Sequence, residues 1–392
     1  MSERTFPDSF VWGTATAAHQ IEGGNVNNDW WEFEHTPGSG VAEPSGDACD
    51  SWHRWPEDVA LVADMGLSAY RFSLEWSRIE TAPGEWNRES LAHYRAIAEL
   101  CRERGIEPMV TLHHFTTPQW ATAGGGWEDD RIVERFATYV ESAVASLADV
   151  VDVFFTLNEP NAMGLMGWML GEFVPGKKDV GLAASVMERL RAAHSAGMAA
   201  IRRVAPAARA GLTLALLDWQ AEPGGEDAVA GMRGLMDDPF LDLARSDDLL
   251  GVQTYTRLRM GATGPIAPPA GTALSQLGYE VYPDALEATV RYAWERTGGA
   301  VPLLVTENGI GTADDAERID YTRGALAGLA RCLDDGIDVR GYLHWSLLDN
   351  FEWSHGYGPT FGLVAVDRQT FVRTPKPSAK WYAEVARTGS LN

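Results

Sequence analysis

Cysteine is scarce in this 392-residue chain: Cys49, Cys101 and Cys332 are an odd number, with no C-x-x-C spacing. That excludes a disulfide scaffold and fits a reducing, cytoplasmic compartment. Positive charge is also in short supply, with 32 Lys and Arg against 55 Asp and Glu, a net charge of −23. Phosphate backbones and anionic headgroups would be repelled by such a surface, so the expected partners include no nucleic acid and no membrane. No run approaches the ~20 apolar residues of a membrane span. The opening segment, Met1 to Asp8, lacks the basic stretch and apolar core of a secretory leader.

Several chemical signatures are missing as well. No HExxH or Cys/His cluster is present, and the adjacent His113 and His114 would point to opposite faces of a strand, so no metal and no cofactor are expected. The GxSxG elbow of a serine hydrolase is absent. Gly171 to Lys178 imitates a phosphate loop, but Lys178 stands where a Ser or Thr would hold magnesium, and no βαβ pattern surrounds it.

What remains is an ordinary globular composition, 45% apolar with no long Pro/Ser/Gly linker. Short β-like runs fall at 10–17, 68–73, 108–114, 152–158, 211–217, 250–255, 302–307 and 340–346. Helical patterns lie between them, at 54–65, 89–104, 131–147, 183–203 and 316–335. Eight strands alternating with helices predict an α/β fold, one (β/α)8 TIM barrel spanning 1–392 as a single catalytic domain.

In such a barrel the active site is assembled at the C-terminal strand ends. The polar and aromatic residues that close these runs are Arg71, His114, Asn158 with Glu159, Tyr255, Glu307 and Trp345. Two of them are glutamates directly after apolar strands, in FFTLNEP and LLVTENG. Paired carboxylates suit glycosidic cleavage, where one donates a proton to the leaving oxygen and the other faces the cationic sugar carbon. The two acids need different surroundings, which Arg71 and Tyr255 could supply beside Glu307. Fifteen tryptophans offer apolar platforms for sugar C–H faces, and Trp345 and Trp353 flank the acidic segment that contains Glu352.

With these motifs in place, the chain resembles glycoside hydrolase family 1, the retaining β-glucosidases and β-glycosidases. The likeness extends from FVWGTATAAHQIEG (10–23) to RTPKPSAKWYAEV (373–385), through SWHRWPEDVALVADMGLSAYRFSLEWSRI, TLHHFTTPQW and GYLHWSLLDNFEW. The resemblance implies Glu159 as acid/base and Glu307 as nucleophile, with Arg71 and Tyr255 holding the latter ionised. It also implies that Gln20, His114, Asn158, Trp345, Glu352 and Trp353 grip the sugar, with Phe361 nearby. Glu352 would repel a 6-phosphate, so the expected substrates are unphosphorylated β-glucosides, β-galactosides or β-fucosides.

Four positions depart from the family pattern. Gln253-Thr254 precede Tyr255 where Asn-Tyr is common, Phe115 replaces a Trp, and Asn161 replaces an aromatic of the leaving-group site. The stretch 218–249 is short, which would open the pocket mouth. A transglycosylase with the same residues, a catalytically silent sugar-binding protein and a structural or storage protein are the competing readings.

Overall fold

The computed structural model describes residues 6–391, so residues 1–5, on which the reading of the leader partly rests, lie outside the described residues. Eight strands form the expected parallel barrel: β1 Val11–Ala15, β2 Ala69–Ser73, β3 Glu107–Thr111, β4 Val153–Asn158, β5 Arg209–Ala215, β6 Leu250–Gln253, β7 Leu303–Asn308 and β8 Val339–Trp345. Each pairs with its sequence neighbours, and β1 pairs with β8 to close the ring. A side chain at β1 Gly13 would place its Cβ only 2.5 Å from the Ala69 carbonyl oxygen, so this tight seam requires glycine.

The expected helices are present at Ser51–Asp64, Arg88–Glu103, Arg131–Ala145, Val180–Val204 and Asp315–Asp334. Several start on the caps their sequences offer. The Asn87 side chain accepts from the Glu89 and Ser90 N–H groups, and that of Asp179 accepts from Leu182. Their apolar faces pack on the outside of the strands in one large buried cluster, while Ala69, Met109, Val153, Phe155, Leu304 and Leu343 form a separate cluster.

That second cluster fixes which side chains face the barrel axis. Residues two apart on a strand share a face, so Arg71 follows Ala69 inward, Thr111 follows Met109 and Trp345 follows Leu343. The same count would turn Asn158 and Glu307 outward, because Phe155 and Leu304 are the inward residues of β4 and β7. Both strands, however, lose register with β5 and β6 respectively before those positions: between Phe155 and Asn158, and between Val305 and Glu307. Leu157 accordingly joins the outer cluster, and Asn158 and Glu307 turn toward the axis.

Five strands end earlier than expected, β1 at Ala15, β5 at Ala215, β8 at Trp345, and two with consequences for the site. β3 stops at Thr111 and β6 at Gln253, so His113, His114 and Tyr255 sit on the loops that follow rather than on the strands. Parallel pairing with the neighbouring strands ends there, and beyond β3 the backbone turns through a positive φ of 69° at Phe115. The two histidines nevertheless diverge. His113 packs edge-on to Trp127, and His114 lies nearly parallel to Trp345 and Trp353. No helix among the described residues is long and apolar enough to cross a membrane.

Candidate active site

Where the C-terminal strand ends converge, a cavity of about 210 Å³ opens. Its lining includes His114, Asn158, Glu159, Tyr255, Glu307, Trp345, Glu352, Trp353 and Phe361, drawn from positions up to 247 residues apart. The two glutamates thus share one cavity.

Glu307, at the end of β7, has both carboxyl oxygens occupied. Arg71 Nη1 donates to Oε1 at 2.6 Å and the Tyr255 hydroxyl donates to Oε2 at 2.7 Å. Arg71 stands behind this carboxylate and is wholly buried; its Nη2 donates to Asn158 Oδ1 at 2.6 Å and its Nε to Thr111 Oγ1 at 2.9 Å. Asn158 Oδ1 also accepts from the Thr213 hydroxyl at 2.9 Å and from Gln253 Nε2 at 3.0 Å. Three donors on one amide oxygen fix the amide's orientation, so its Nδ2 donates to His114 Nε2 at 3.2 Å. The ring proton of neutral His114 therefore sits on Nδ1, which has no partner among the described residues and remains as a donor. Burial and the Arg71 charge push the His114 pKa well down, which keeps the ring neutral.

Glu159 is held differently. It occupies a left-handed conformation, φ 44°, at the start of the helix Pro160–Gly164, and its backbone N–H donates to the Thr213 carbonyl. Among the described residues no hydrogen bond reaches its carboxyl. Burial and the adjacent Glu307 charge raise its pKa well above the ordinary carboxyl range. Burial also raises Glu307, but the Arg71 charge and the bonds from Tyr255 and Arg71 oppose the rise. Of the two, Glu159 is the one pushed furthest up, so a proton shared by the pair resides on Glu159.

Glu352 approaches from the loop after β8. Burial, and then the Glu307 charge, push it up to about 8, and among the described residues its Oε2 has no partner. Gln20 is not among the lining residues; its Nε2 fastens the same loop through the Phe351 carbonyl at 2.8 Å and Asn350 Oδ1 at 3.2 Å. Its Oε1 is buried and has no partner among the described residues.

The departures from the family pattern resolve into specific contacts. Gln253 turns inward to Asn158, whereas the Thr254 hydroxyl bonds Thr289 on the helix Ala285–Thr297. Phe115 lines the cavity and packs edge-on to Trp353, with no polar group to offer. Asn161 is wholly buried and faces away from the cavity, where its Nδ2 donates to the Ala215 carbonyl at 2.6 Å and its Oδ1 accepts from the Ala215 N–H at 3.3 Å. The stretch 218–249 does not leave the mouth bare; it builds a wall carrying Trp219, Met236 and Asp237. Thr111, Thr213, Trp219 and Asp237 were not legible as site residues, because no local motif marks them. Among the described residues no group of His, Cys, Asp and Glu is arranged to hold a metal.

The sequence profile described as glycosyl hydrolase family 1 matches residues 2–235 and 266–390. Beta-glucosidase A of Acetivibrio thermocellus is 32% identical, with all of both chains aligned. A bifunctional beta-D-glucosidase/beta-D-fucosidase of Bifidobacterium breve is 34% identical over 96% of this chain and 97% of its own. Among solved structures, a beta-glycosidase shares 46% identity at a TM-score of 0.90, covering 97% of each chain.

Proposed function

We propose that this chain, which belongs to glycosyl hydrolase family 1, is a retaining β-glycosidase acting on terminal unphosphorylated β-D-glucosides, with β-fucosides and β-galactosides as further substrates. The whole of 1–392 is read as one catalytic domain. The observation that carries the mechanism is the unequal treatment of two carboxyls in one cavity: Glu307 is bound at both oxygens by donors, and Glu159 is free and holds the proton.

Glu307 attacks the anomeric carbon as Glu159 protonates the departing oxygen, breaking the glycosidic bond and leaving the sugar esterified to Glu307. Glu159, now a carboxylate, takes a proton from water, whose oxygen displaces Glu307; two inversions retain the β configuration. The Arg71 and Tyr255 bonds favour the charged form of Glu307 and so prepare the nucleophile. Trp345 and Trp353 offer faces to the sugar, and His114 Nδ1 and Glu352 offer a donor and an acceptor to its hydroxyls. The names of the glucosidase and fucosidase relatives support the choice of glycone, and Glu352, its pKa raised by burial and the Glu307 charge, offers a phosphorylated one no counter-charge.

The test is replacement of Glu307 by Gly, assayed on an aryl β-D-glucoside with and without azide. Hydrolysis should be lost, and azide should restore cleavage with an α-glycosyl azide as product. Undiminished hydrolysis by the variant, or an α-configured first product from the unaltered enzyme by NMR, would refute the assignment.

A further inference from the structure

The cavity has two sides of different origin. Trp345, Glu352, Trp353 and Phe361 come from the end of β8 and its loop, on the side of the barrel opposite β4 and β5. Beside Glu159, the wall is built by the chain after β5: Leu216, Leu217, Trp219, Met236 and Asp237. Because the proton passes from Glu159 to the leaving oxygen, the departing group lies toward this second wall.

That wall is apolar except for one carboxyl. Asp237 sits between the helices Glu226–Met236 and Asp238–Ala244 and is 1% exposed. Its Oδ2 accepts from the Trp219 indole N–H at 2.8 Å; among the described residues nothing donates to its Oδ1. Burial pushes this carboxyl up to about 7, and in either protonation state it presents an oxygen that can accept. Asp237 lines the cavity, so a purely apolar leaving group packed over its free oxygen would strip that oxygen of water, a cost that disappears when a hydroxyl fills the position. Asp237 also falls in the stretch 236–265 that the family profile leaves unmatched.

We propose that Asp237, held by the Trp219 indole, is a specificity-determining residue of the leaving-group site that accepts a hydroxyl of a polyhydroxylated leaving group, such as a second sugar. The proposal rests on the retaining β-glycosidase reading above. It distinguishes two substrates that share a glucosyl half and differ only in what departs.

The experiment compares kcat/KM for a β-1,4-linked glucose disaccharide with kcat/KM for 4-nitrophenyl β-D-glucoside, in the unaltered enzyme, in Asp237→Ala and in Asp237→Asn. Asn keeps an oxygen for the indole N–H but presents a donor in place of the second acceptor, and it preserves packing if the Ala variant fails to fold. The disaccharide-to-aryl ratio should fall at least about tenfold in Asn and in any folded Ala variant, the scale of a hydrogen bond to a charged or buried acceptor. A ratio within about threefold of the unaltered enzyme, whatever the absolute rates, overturns the inference and assigns Asp237 a purely structural role. So does an unaltered enzyme that cleaves the aryl glucoside but not the disaccharide. An unaltered enzyme that cleaves neither overturns the glycosidase reading itself, and the inference with it.

Discussion

Arg71 and Glu307 meet across 2.6 Å with side chains 0% and 5% exposed, although they stand 236 residues apart. The guanidinium also bonds Asn158 and Thr111, so one cation joins the ends of β2, β3, β4 and β7. An ion pair this dry is sensitive to the loss of either member, since the survivor is left charged and unpaired out of water.

Replacing Arg71 with Met should therefore act on both stability and chemistry. Loss of the cation should destabilise the fold by about 3–5 kcal/mol, read as a lower denaturation midpoint. It should also leave Glu307 protonated to higher pH, because Arg71 opposes the rise that burial causes. The acid limb of kcat/KM should move upward; a limb that stays in place or moves down would remove Arg71 from the role of ionising Glu307.

Glu159→Gln tests the other carboxyl. The unaltered enzyme should lose kcat/KM at high pH as Glu159 gives up its proton, and the variant should lack that basic limb. Its rate should fall by about 10²–10⁴ on alkyl or sugar leaving groups and by less on a 2,4-dinitrophenyl glucoside, whose departing oxygen needs no proton. Equal losses on both would contradict general-acid catalysis by Glu159.

Asn161→Ala probes how Glu159 is aimed. Asn161 clamps the backbone of Ala215 from the helix that begins beside Glu159. Its removal leaves the Ala215 carbonyl and N–H without that partner, at a cost of about 1–3 kcal/mol. Because the clamp positions the acid rather than the nucleophile, kcat should drop more for poor leaving groups than for activated ones. A uniform loss would reduce Asn161 to a stabilising role.

Asp29 lies outside the cavity and carries a stability signature. Burial pushes its carboxyl from 3.8 to about 8, against the opposing bond from the Thr117 N–H. Between those values the folded chain keeps a proton that the unfolded chain has released. The contribution to stability is whole below about pH 4 and is lost as pH rises through about 8. Asp29→Asn keeps the acceptor for Thr117 but cannot ionise, so relative to the unaltered protein it should gain more than about 1 kcal/mol between pH 5 and 8. Parallel stability curves for the two proteins would show that Asp29 does not titrate in this window.

Eight strands and five of the helices between them could be read directly, because apolar runs of strand length alternating with amphipathic helical stretches are the pattern of a parallel α/β fold. Boundaries were less legible. β3 and β6 read through to His114 and Tyr255, since nothing in their composition marks the residue at which pairing with neighbouring strands stops. Asn161 read as a change in the leaving-group site, whereas its short amide reaches the backbone of β5 instead.

The order of residues in this protein determined that two glutamates would stand at the C-terminal rim of a barrel, one after the fourth strand and one closing the seventh, because strand number and chain position are properties of the chain alone. It did not determine which way they face. By the two-residue period of a strand, Asn158 and Glu307 belong outside, and only register breaks against β5 and β6 turn them to the axis. Such a break depends on hydrogen bonds to neighbouring strands rather than on local preference. The same holds for Asp237 and its bond to Trp219, which exist only once a short strand and two helices fold over the end of β5.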